Sequence, residues 1–362
     1  MSELEPQAAP APSHRFDIYG LGNALVDQEV VVHDEFLRTQ GIAKGAMTLI
    51  DEPRLVRLLA DLRSEFALKG RASGGSAANT LVTASYFGSR AFYSCRVGSD
   101  EAGEFYLADL SAAGVSTNPH QGMLADDLAS GMTGRCLVLV TDDAERTMNT
   151  FLGITSELSH AEIDFEALAA SRLLYIEGYL VTSPTGREAA VRAKAFARER
   201  GIEVAYTLSD SSMLQYFGEG VAQILGEDGV DLLFCNEGEA LQWSGCYSVA
   251  EAADALKEIA KRFCITLGAR GALVYDGENL LEIAAHEVTP VDSNGAGDVF
   301  AGAFLHAYAA GLGCQRAGDL ASLASARCVT QFGPRLPALA HLEIRDQVLG
   351  AANPQLSAAA AS

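Results

Sequence analysis

The residues best suited to chemistry form a short acidic and glycine-rich motif in the last quarter of the chain. From Asp292 the sequence is Asp-Ser-Asn-Gly-Ala-Gly-Asp, so that two carboxylates flank Gly295, Ala296 and Gly297. An apolar run that is compatible with a helix begins directly at Asp298. Small residues at a helix N-terminus leave backbone N–H groups uncovered, and the helix dipole adds positive potential there. The motif therefore predicts an anion-binding site.

A carboxylate beside such a site requires an explanation, because it repels a bound phosphate. The simplest is that Asp298 acts as a general base and takes a proton from an alcohol, while N–H groups of the Gly-Ala-Gly turn stabilise the transferring phosphoryl group. The alternative is a glycine-rich turn between a strand and a helix, whose acid is favoured by the helix dipole alone. The pattern favours a phosphotransferase that acts on an alcohol.

The motif resembles the signature Asp-Thr-x-Gly-Ala-Gly-Asp of the ribokinase-like (PfkB) small-molecule kinases. Ser293 stands where that family usually has Thr, and the replacement keeps the hydroxyl group. The resemblance extends over most of the chain, about residues 16–345, with the motifs in the expected order. It implies a ribokinase-like α/β fold, ATP as phosphate donor and Asp298 as the general base.

The pattern of predicted elements also indicates an α/β protein. Predicted strands at 173–177, 203–207, 232–236 and 263–267 alternate with predicted helices. Repeated strand–helix units of this length imply a mainly parallel central sheet with helices on both faces.

Earlier hairpin-like segments break this alternation and predict a small β-sheet lid. We place the lid at about residues 23–51 and 117–152, within a kinase domain that extends over residues 16–350. Residues 1–15 are predicted to be a disordered N-terminus, and residues 351–362 a loose C-terminal tail.

Composition restricts the class of partner. The 362-residue chain has a formal net charge of −21, which argues against non-specific binding to nucleic acid or to an anionic membrane. Its seven cysteines form no Cys-x-x-Cys pair, which indicates reduced thiols rather than disulfides or a zinc site. No signal peptide or membrane span is predicted, since no uninterrupted apolar segment reaches ~18 residues. We therefore expect a cytoplasmic protein, with the choice between monomer and homodimer left open.

Polar residues in the N-terminal part form the predicted substrate site. They follow the first predicted strand or open the next helix, and they are Asn23, Asp27, Gly74, Gly75, Ser76 and Asn79. A carboxylate, two amides and exposed backbone donors suit a polyol such as a ribose ring, because a site built to bond hydroxyls rejects analogues that lack them. The alternatives are a helix-face amide for Asn79 and an N-cap for Gly-Gly-Ser. Gly-Gly-Ser-x-x-Asn also resembles the N-terminal signature of the ribokinase-like family.

The resemblance implies a nucleotide site that is built mainly from residues near the ends of later strands. Its residues are Asn236, Thr266, Gly268, Gly271 and Asn294, with Arg146 of the lid as a candidate phosphate contact and Glu239 as the residue that orders Mg²⁺. One carboxylate and the ATP phosphates can suffice, since Mg²⁺ prefers oxygen ligands and keeps several waters. The alternatives are a helix cap for the acid and a solvated turn for the arginine. No Walker A motif is present, and a monovalent cation (K⁺) site near Asp292 is left open.

Local sequence features suggest which alcohol accepts the phosphoryl group. Segments 22–27, 146–153 and 177–180 look more like those of adenosine kinases and their bacterial relatives than those of fructokinases. The Phe151-Leu152 pair would supply an apolar lid surface and Tyr179 would stack on a flat base, unless all three are ordinary core residues. We therefore predict transfer to the 5′-hydroxyl of a nucleoside, adenosine first.

Three alternatives remain beside this prediction. The first is a kinase of a free sugar such as ribose or fructose, and the second is a nucleoside- or sugar-binding regulator without turnover. The third, an NAD(P)-binding oxidoreductase, is disfavoured because Gly20-Leu21-Gly22 lacks the third glycine of the dinucleotide fingerprint, where Leu25 stands.

Overall fold

The computed structural model describes residues 14–45, 47–118, 131–143 and 145–350. Its strands are β1 (Phe16–Leu21), β2 (Leu25–Val31), β3 (Met47–Leu49), β4 (Leu68–Gly74), β5 (Ala91–Ser94), β6 (Val115–Thr117), β7 (Gly134–Val140), β8 (Arg146–Phe151), β9 (Ser171–Ile176), β10 (Glu203–Thr207), β11 (Leu232–Asn236), β12 (Phe263–Thr266), β13 (Ala272–Tyr275) and β14 (Leu280–Ile283). Its α-helices are α1 (Asp34–Thr39), α2 (Glu52–Glu65), α3 (Ser76–Phe87), α4 (Glu101–Ala112), α5 (Phe165–Ala169), α6 (Pro184–Glu199), α7 (Ser211–Leu225), α8 (Glu237–Ser244), α9 (Val249–Leu256), α10 (Ala296–Ala309), α11 (Cys314–Cys328) and α12 (Ala338–Leu349). Most of the predicted disordered N-terminus and all of the predicted tail lie outside the described residues.

The described chain forms one large sheet in the order β14-β13-β12-β11-β10-β9-β1-β5-β6. Its strands from β12 to β6 are parallel, and β13 and β14 add an antiparallel edge. The central strands are nearly continuous apolar runs, as expected for strands that are buried on both faces. The mainly parallel α/β fold predicted from the sequence is confirmed.

Helices cover both faces of the large sheet. Buried side chains of α3, α4, α10, α11 and α12 form one hydrophobic cluster with the sheet. Side chains of α5, α6, α7, α8 and α9 form a second cluster on the opposite face. No helix in the described part of the chain has the length and apolar character that a membrane span requires.

A second, smaller sheet, here called the small sheet, has the strand order β3-β8-β7-β2-β4. The predicted lid segments contain β2, β3, β7 and β8, whereas β4 lies outside them. Residues 119–130 of the second predicted segment are outside the described residues. The sequence of β4, Leu-Lys-Gly-Arg-Ala-Ser-Gly, carries no strand signal, because it has two glycines and no β-branched residue.

The two faces of the small sheet have different neighbours. Leu137 and Leu139 of β7 pack with buried residues of α1 and α2, including Phe36. Side chains alternate along a strand, so Cys136 and Val138 point to the opposite face. That second face lines a cavity beside the large sheet.

Candidate active site

The Gly-Ala-Gly motif forms the start of α10. Gly295 precedes the helix with a φ of 74°, and a Cβ at this position would lie 2.5 Å from Pro334. Only glycine fits this turn without displacement of the neighbouring backbone. Gly297 is in a different environment, since a Cβ there would meet no atom of the described residues within 4 Å. The helix start is therefore open at Gly297.

Backbone donors at this helix start are partly free. Within the described residues, no hydrogen bond is made by the N–H groups of Gly295 and Gly297. Ala296 differs from the expectation that all three groups are uncovered, because its N–H donates to the Ser293 carbonyl at 3.3 Å. Free donors and the positive end of a helix dipole both favour an anion at this position.

Asp298 lies beside this site, in the first turn of α10, and is half-buried. Its carboxylate accepts hydrogen bonds from the Ser76 hydroxyl at 2.6 Å and from the Asn79 side-chain amide at 3.0 Å. Burial raises the pKa of Asp298 to about 6, although both hydrogen bonds favour its charged form. A carboxylate with this pKa can accept a proton near neutral pH. Ser76 and Asn79 therefore contact the candidate base.

A cavity of about 830 Å³, here called the larger cavity, lies between the two sheets and reaches Asp298. Its polar lining includes Asn23, Asp27, Gly75, Ser76 and Asn79. The structure thus brings together five of the six polar residues predicted for the substrate. The sixth, Gly74, is not on the lining but lies against the Asp27 carboxylate, which a Cβ would approach to 2.2 Å.

The Asp27 carboxylate is an unused acceptor on the cavity wall. Among the described residues, no hydrogen bond or ion pair reaches it, although it lies close enough to Arg335 and Asp298 to interact with their charges. Burial raises the pKa of Asp27 to about 7, while the charge of Arg335 opposes this rise and that of Asp298 adds to it. An acceptor without a protein partner can bind hydroxyl groups of a ligand.

Glu177 orients the side chain of Asn23 on the cavity lining, and this role was not predicted from the sequence. This buried carboxylate follows β9 and accepts hydrogen bonds from the Asn23 side-chain amide at 2.9 Å and from the Ala77 N–H at 2.8 Å. Burial raises the pKa of Glu177 to about 7. Because the carboxylate takes the Asn23 amide N–H, the orientation of the Asn23 amide is fixed. The available signal was an acid that directly follows the apolar end of a strand, Leu173 to Ile176.

Phe151 and Leu152 were predicted to supply an apolar lid surface, and the structure places them apart. The Phe151 side chain packs with residues of α1 and α2 on the helix-covered face of the small sheet. Leu152 lines the larger cavity together with Met148 and Thr150. The strand period of two explains the position of Phe151, since neighbouring residues of β8 point to opposite faces.

The apolar wall opposite the small sheet contains Tyr179 and residues of α7. Tyr179 lines the larger cavity, as the sequence analysis proposed. Met213, Tyr216 and Phe217 of α7 also line it and were not predicted. Phe217 has a non-helical φ of −130°, which marks a kink in this helix. The larger cavity therefore has a polar end near Asp298 and aromatic side chains farther along its lining.

A smaller cavity of about 520 Å³ lies on the other side of the α10 start. Its lining contains Thr266, Gly268 and Gly271, which were predicted to bind nucleotide, together with residues of α10 and α11. Gly297 and Thr266 line both cavities. Two cavities thus meet at the free donors of the helix, beside the Asp298 carboxylate.

Asn236 and Glu239 form a reciprocal helix cap at the start of α8. The Asn236 side chain accepts from the Glu239 N–H at 2.9 Å, and the Glu239 carboxylate accepts from the Asn236 N–H at 3.0 Å. Burial raises the pKa of Glu239 to about 7. Asn236 and Asn294 line the larger cavity. The described residues contain no cluster of three or more acidic, histidine or cysteine side chains that could hold a metal by itself.

Arg146 pairs with the motif rather than lining either cavity. Its Nη2 lies 2.8 Å from Asp292 Oδ2 and 3.8 Å from Glu29 Oε2. Asp292 also accepts hydrogen bonds from the N–H groups of Asn294 and Gly333. The ion pair therefore joins β8 of the small sheet to the loop that opens the Gly-Ala-Gly turn.

Comparison with known proteins agrees with this geometry. Residues 69–340 match the pfkB family of carbohydrate kinases. The chain belongs to this family. As a PfkB kinase it is a nucleoside or sugar kinase, and membership implies ATP as the phosphate donor.

Among solved structures, this PfkB kinase is similar to adenosine kinase from Sinorhizobium meliloti. The two chains are 34% identical, with 90% of this chain and 98% of the other covered and a TM-score of 0.80. A probable sugar kinase from Rhizobium etli is 31% identical, with 92% and 99% covered and a TM-score of 0.81. Adenosine kinase from Saccharomyces cerevisiae is 26% identical over 340 residues, with 88% of this chain and 96% of the relative covered.

Proposed function

We propose that this PfkB kinase phosphorylates the 5′-hydroxyl of adenosine with ATP as donor. The observation that carries the proposal is the meeting of two cavities at Gly297, beside the carboxylate of Asp298. Transfer of a phosphoryl group needs a donor and an acceptor that reach one point from separate sites. The similarity to adenosine kinase from Sinorhizobium meliloti supports a nucleoside as the acceptor.

The polar end of the larger cavity would hold the ribose. Asp27 has acceptor oxygens without a described protein hydrogen bond, and these would bind two neighbouring hydroxyl groups of the sugar. Asn23 is oriented for the same task by Glu177. Gly75 has a φ of 97°, and a Cβ there would meet the Asn23 carbonyl at 2.4 Å, so this turn requires glycine.

The aromatic side chains on the lining would hold the base. Tyr179 is half-buried and offers a flat ring to a purine. Tyr216 and Phe217 of α7 would supply the apolar surface that was predicted for Phe151. A free sugar would leave these aromatic side chains without a partner, which supports a nucleoside.

The chemistry would centre on Asp298. Its carboxylate would accept the proton of the 5′-hydroxyl as the hydroxyl oxygen bonds to phosphorus and the bond to the leaving diphosphate breaks. The N–H groups of Gly295 and Gly297 would stabilise charge on the phosphoryl oxygens.

The smaller cavity would hold the donor nucleotide. ATP supplies the phosphoryl group, and its site would be built from Thr266, Gly268 and Gly271 of this cavity. Asn236 and Asn294 would contact it from the larger cavity, which they line. Glu239 would help to order Mg²⁺ through water, because its carboxylate caps α8 and so contacts Asn236. One carboxylate together with waters and phosphate oxygens suits this ion.

A K⁺ site near Asp292 and a phosphate contact from Arg146 remain predictions. A cytoplasmic location fits seven unpaired cysteines, and monomer and homodimer both stay open.

A second candidate function is phosphorylation of a free sugar. The position of Phe151 outside the larger cavity favours it, as does the similarity to a probable sugar kinase from Rhizobium etli. Tyr179 argues against it, because this side chain does line the cavity.

The test is ADP release with Mg-ATP across adenosine, inosine, guanosine, cytidine, ribose and fructose. We expect the highest kcat/KM with adenosine and little turnover of the free sugars. Turnover restricted to ribose or fructose would contradict the nucleoside assignment and establish the second candidate. If no acceptor reacts, calorimetric binding of the same compounds identifies a binding protein without turnover, which also contradicts the proposal.

A further inference from the structure

Arg335 lies in the loop between α11 and α12 and contacts three other parts of the site. Its side chain is largely buried, with 14% exposed. The Nε atom donates to Asn79 Oδ1 at 2.8 Å, and Nη1 donates to Ser73 Oγ at 3.1 Å and to Asp109 Oδ2 at 3.2 Å. The Nη2 atom donates to the Ser73 carbonyl. All three nitrogens of the guanidinium group are therefore engaged, so its position is fixed.

The contact with Asn79 has a chemical consequence. A guanidinium group only donates hydrogen bonds, so the atom of Asn79 that faces it must be the amide oxygen. The amide nitrogen of Asn79 then has to point the other way, where it donates to Asp298 Oδ2 at 3.0 Å. Without the guanidinium, Asn79 is free to rotate and to turn its oxygen towards the carboxylate.

We propose that Arg335 is a positioning residue for the base: it fixes the orientation of Asn79, which in turn holds the Asp298 carboxylate in its charged form. The inference rests on the proposed role of Asp298 as the proton acceptor. Arg335 does not line either cavity, so it acts through Asn79 rather than through a contact with the substrate.

The electrostatic surroundings of Asp298 support this role. The titratable and charged groups that face it from neighbouring elements are Asp27 of β2, Tyr175 of β9, Glu177 and Tyr179 after β9, Cys328 of α11, and Arg335. Arg335 is the one cation in this group, and its charge lowers the pKa of Asp298 while burial raises it. The cation therefore opposes the effect of burial on this carboxyl.

A second arginine provides a control that distinguishes the proposed role of Arg335 from a purely structural one. Arg335 joins Ser73 of β4 to Asp109 of α4, and Arg71 of the same strand joins Glu101 of the same helix at 2.9 Å. Arg71 also stacks on Phe105, with 4.1 Å between its Cζ and the ring centroid. R71M therefore removes a similar tie between β4 and α4 without touching Asn79.

The experiment is a ¹³C NMR titration of protein with labelled aspartate carboxyls, in which the Asp298 signal is assigned by its loss in D298N. We expect R335M to raise the pKa of Asp298 by about one unit and R71M to leave it unchanged. R335K keeps the charge but cannot bond Asn79 and Ser73 with the same fork, so we expect a smaller rise. An unchanged pKa in the folded R335M and R335K proteins would overturn the inference, and R335K alone decides if R335M does not fold.

A kinetic measurement accompanies the titration. The acid limb of the kcat–pH profile should move up by about one pH unit in R335M, with a loss of about tenfold below pH 6 that recovers at higher pH. A loss of the same size at every pH, shared with R71M, would indicate a structural tie instead. The NMR titration needs no substrate, so it remains decisive if adenosine is not the acceptor.

Discussion

Gly295 lies directly against Pro334: a Cβ on Gly295 would come within 2.5 Å of the Pro334 Cα. The backbone of Gly295 also has a φ of 74°, in the region that favours glycine. Gly297, two residues later, lies in open space: apart from its own helix backbone, no atom of the described residues lies within 4 Å of the position that its Cβ would take. The first glycine is needed by the turn, and the second leaves the helix N-terminus accessible.

The two glycines should therefore respond differently to replacement by alanine. G295A should lower the free energy of unfolding by about 1–3 kcal/mol, since it adds backbone strain and a clash. G297A should keep stability within about 0.5 kcal/mol, because its methyl group enters open space, yet it should lower kcat by about 10²-fold by covering the anion site. Chemical denaturation and steady-state kinetics measure both effects. Normal turnover in G297A would contradict the assignment of the anion site.

The pH dependence of turnover follows from the environment of Asp298. Burial raises the pKa of this carboxyl to about 6, and a base acts only when deprotonated. The value of kcat should therefore rise with pH through about pH 6 and fall about tenfold per pH unit below it. A profile of kcat for the best acceptor measures this limb. Constant kcat down to about pH 4.5 would show that the limiting base has an ordinary carboxyl pKa.

Asp27 should make the folded protein less stable as the pH rises. Burial raises its pKa to about 7, so the folded state binds this proton more tightly than the unfolded chain does. The stabilising contribution is complete below the ordinary pKa of an aspartate and is lost as the pH rises through about 7. D27N lacks this ionisation, so its free energy of unfolding, relative to the wild type, should be higher at about pH 8 than at about pH 4.

The control for this comparison is D142N, which alters an aspartate whose side chain is 79% exposed. Urea unfolding of the three proteins at both pH values gives the differences. An equal difference between D27N and the wild type at both pH values would contradict the raised pKa of Asp27. D27N should also bind adenosine about 10–100-fold more weakly, because the ribose hydroxyl groups lose a charged acceptor.

Elements with strong local signals were predictable from the sequence. The helix α2 is one example, because Asp51 caps its N-terminus and Pro53 occupies its first turn. The strand β8 likewise begins and ends where the alternating sequence indicates. The helix α7 was missed, since it contains two glycines and a kink at Phe217 that interrupt helical periodicity.

The candidate site was predictable where its residues are close in sequence. The Gly-Ala-Gly motif and the Gly-Gly-Ser-x-x-Asn segment have a recognisable order, and the fold brings Asp298 to Ser76 and Asn79. Arg335 was not predictable, because it contacts Asn79 across 256 residues and belongs to no motif. The position of Phe151 was not predictable for another reason: the sequence of a strand does not indicate which of its two faces the helices cover.

The role of Asp298 as the base is tested most directly by measuring AMP formed from adenosine and Mg-ATP by the wild type and by D298N, side by side. We expect AMP from the wild type and a kcat about 10²–10⁴-fold lower in D298N. We also expect D298N to bind adenosine with an affinity within about tenfold of the wild type, because Asn is similar in shape to Asp and the cavity is otherwise unchanged. Equal rates of AMP formation by the two proteins would contradict Asp298 as the base.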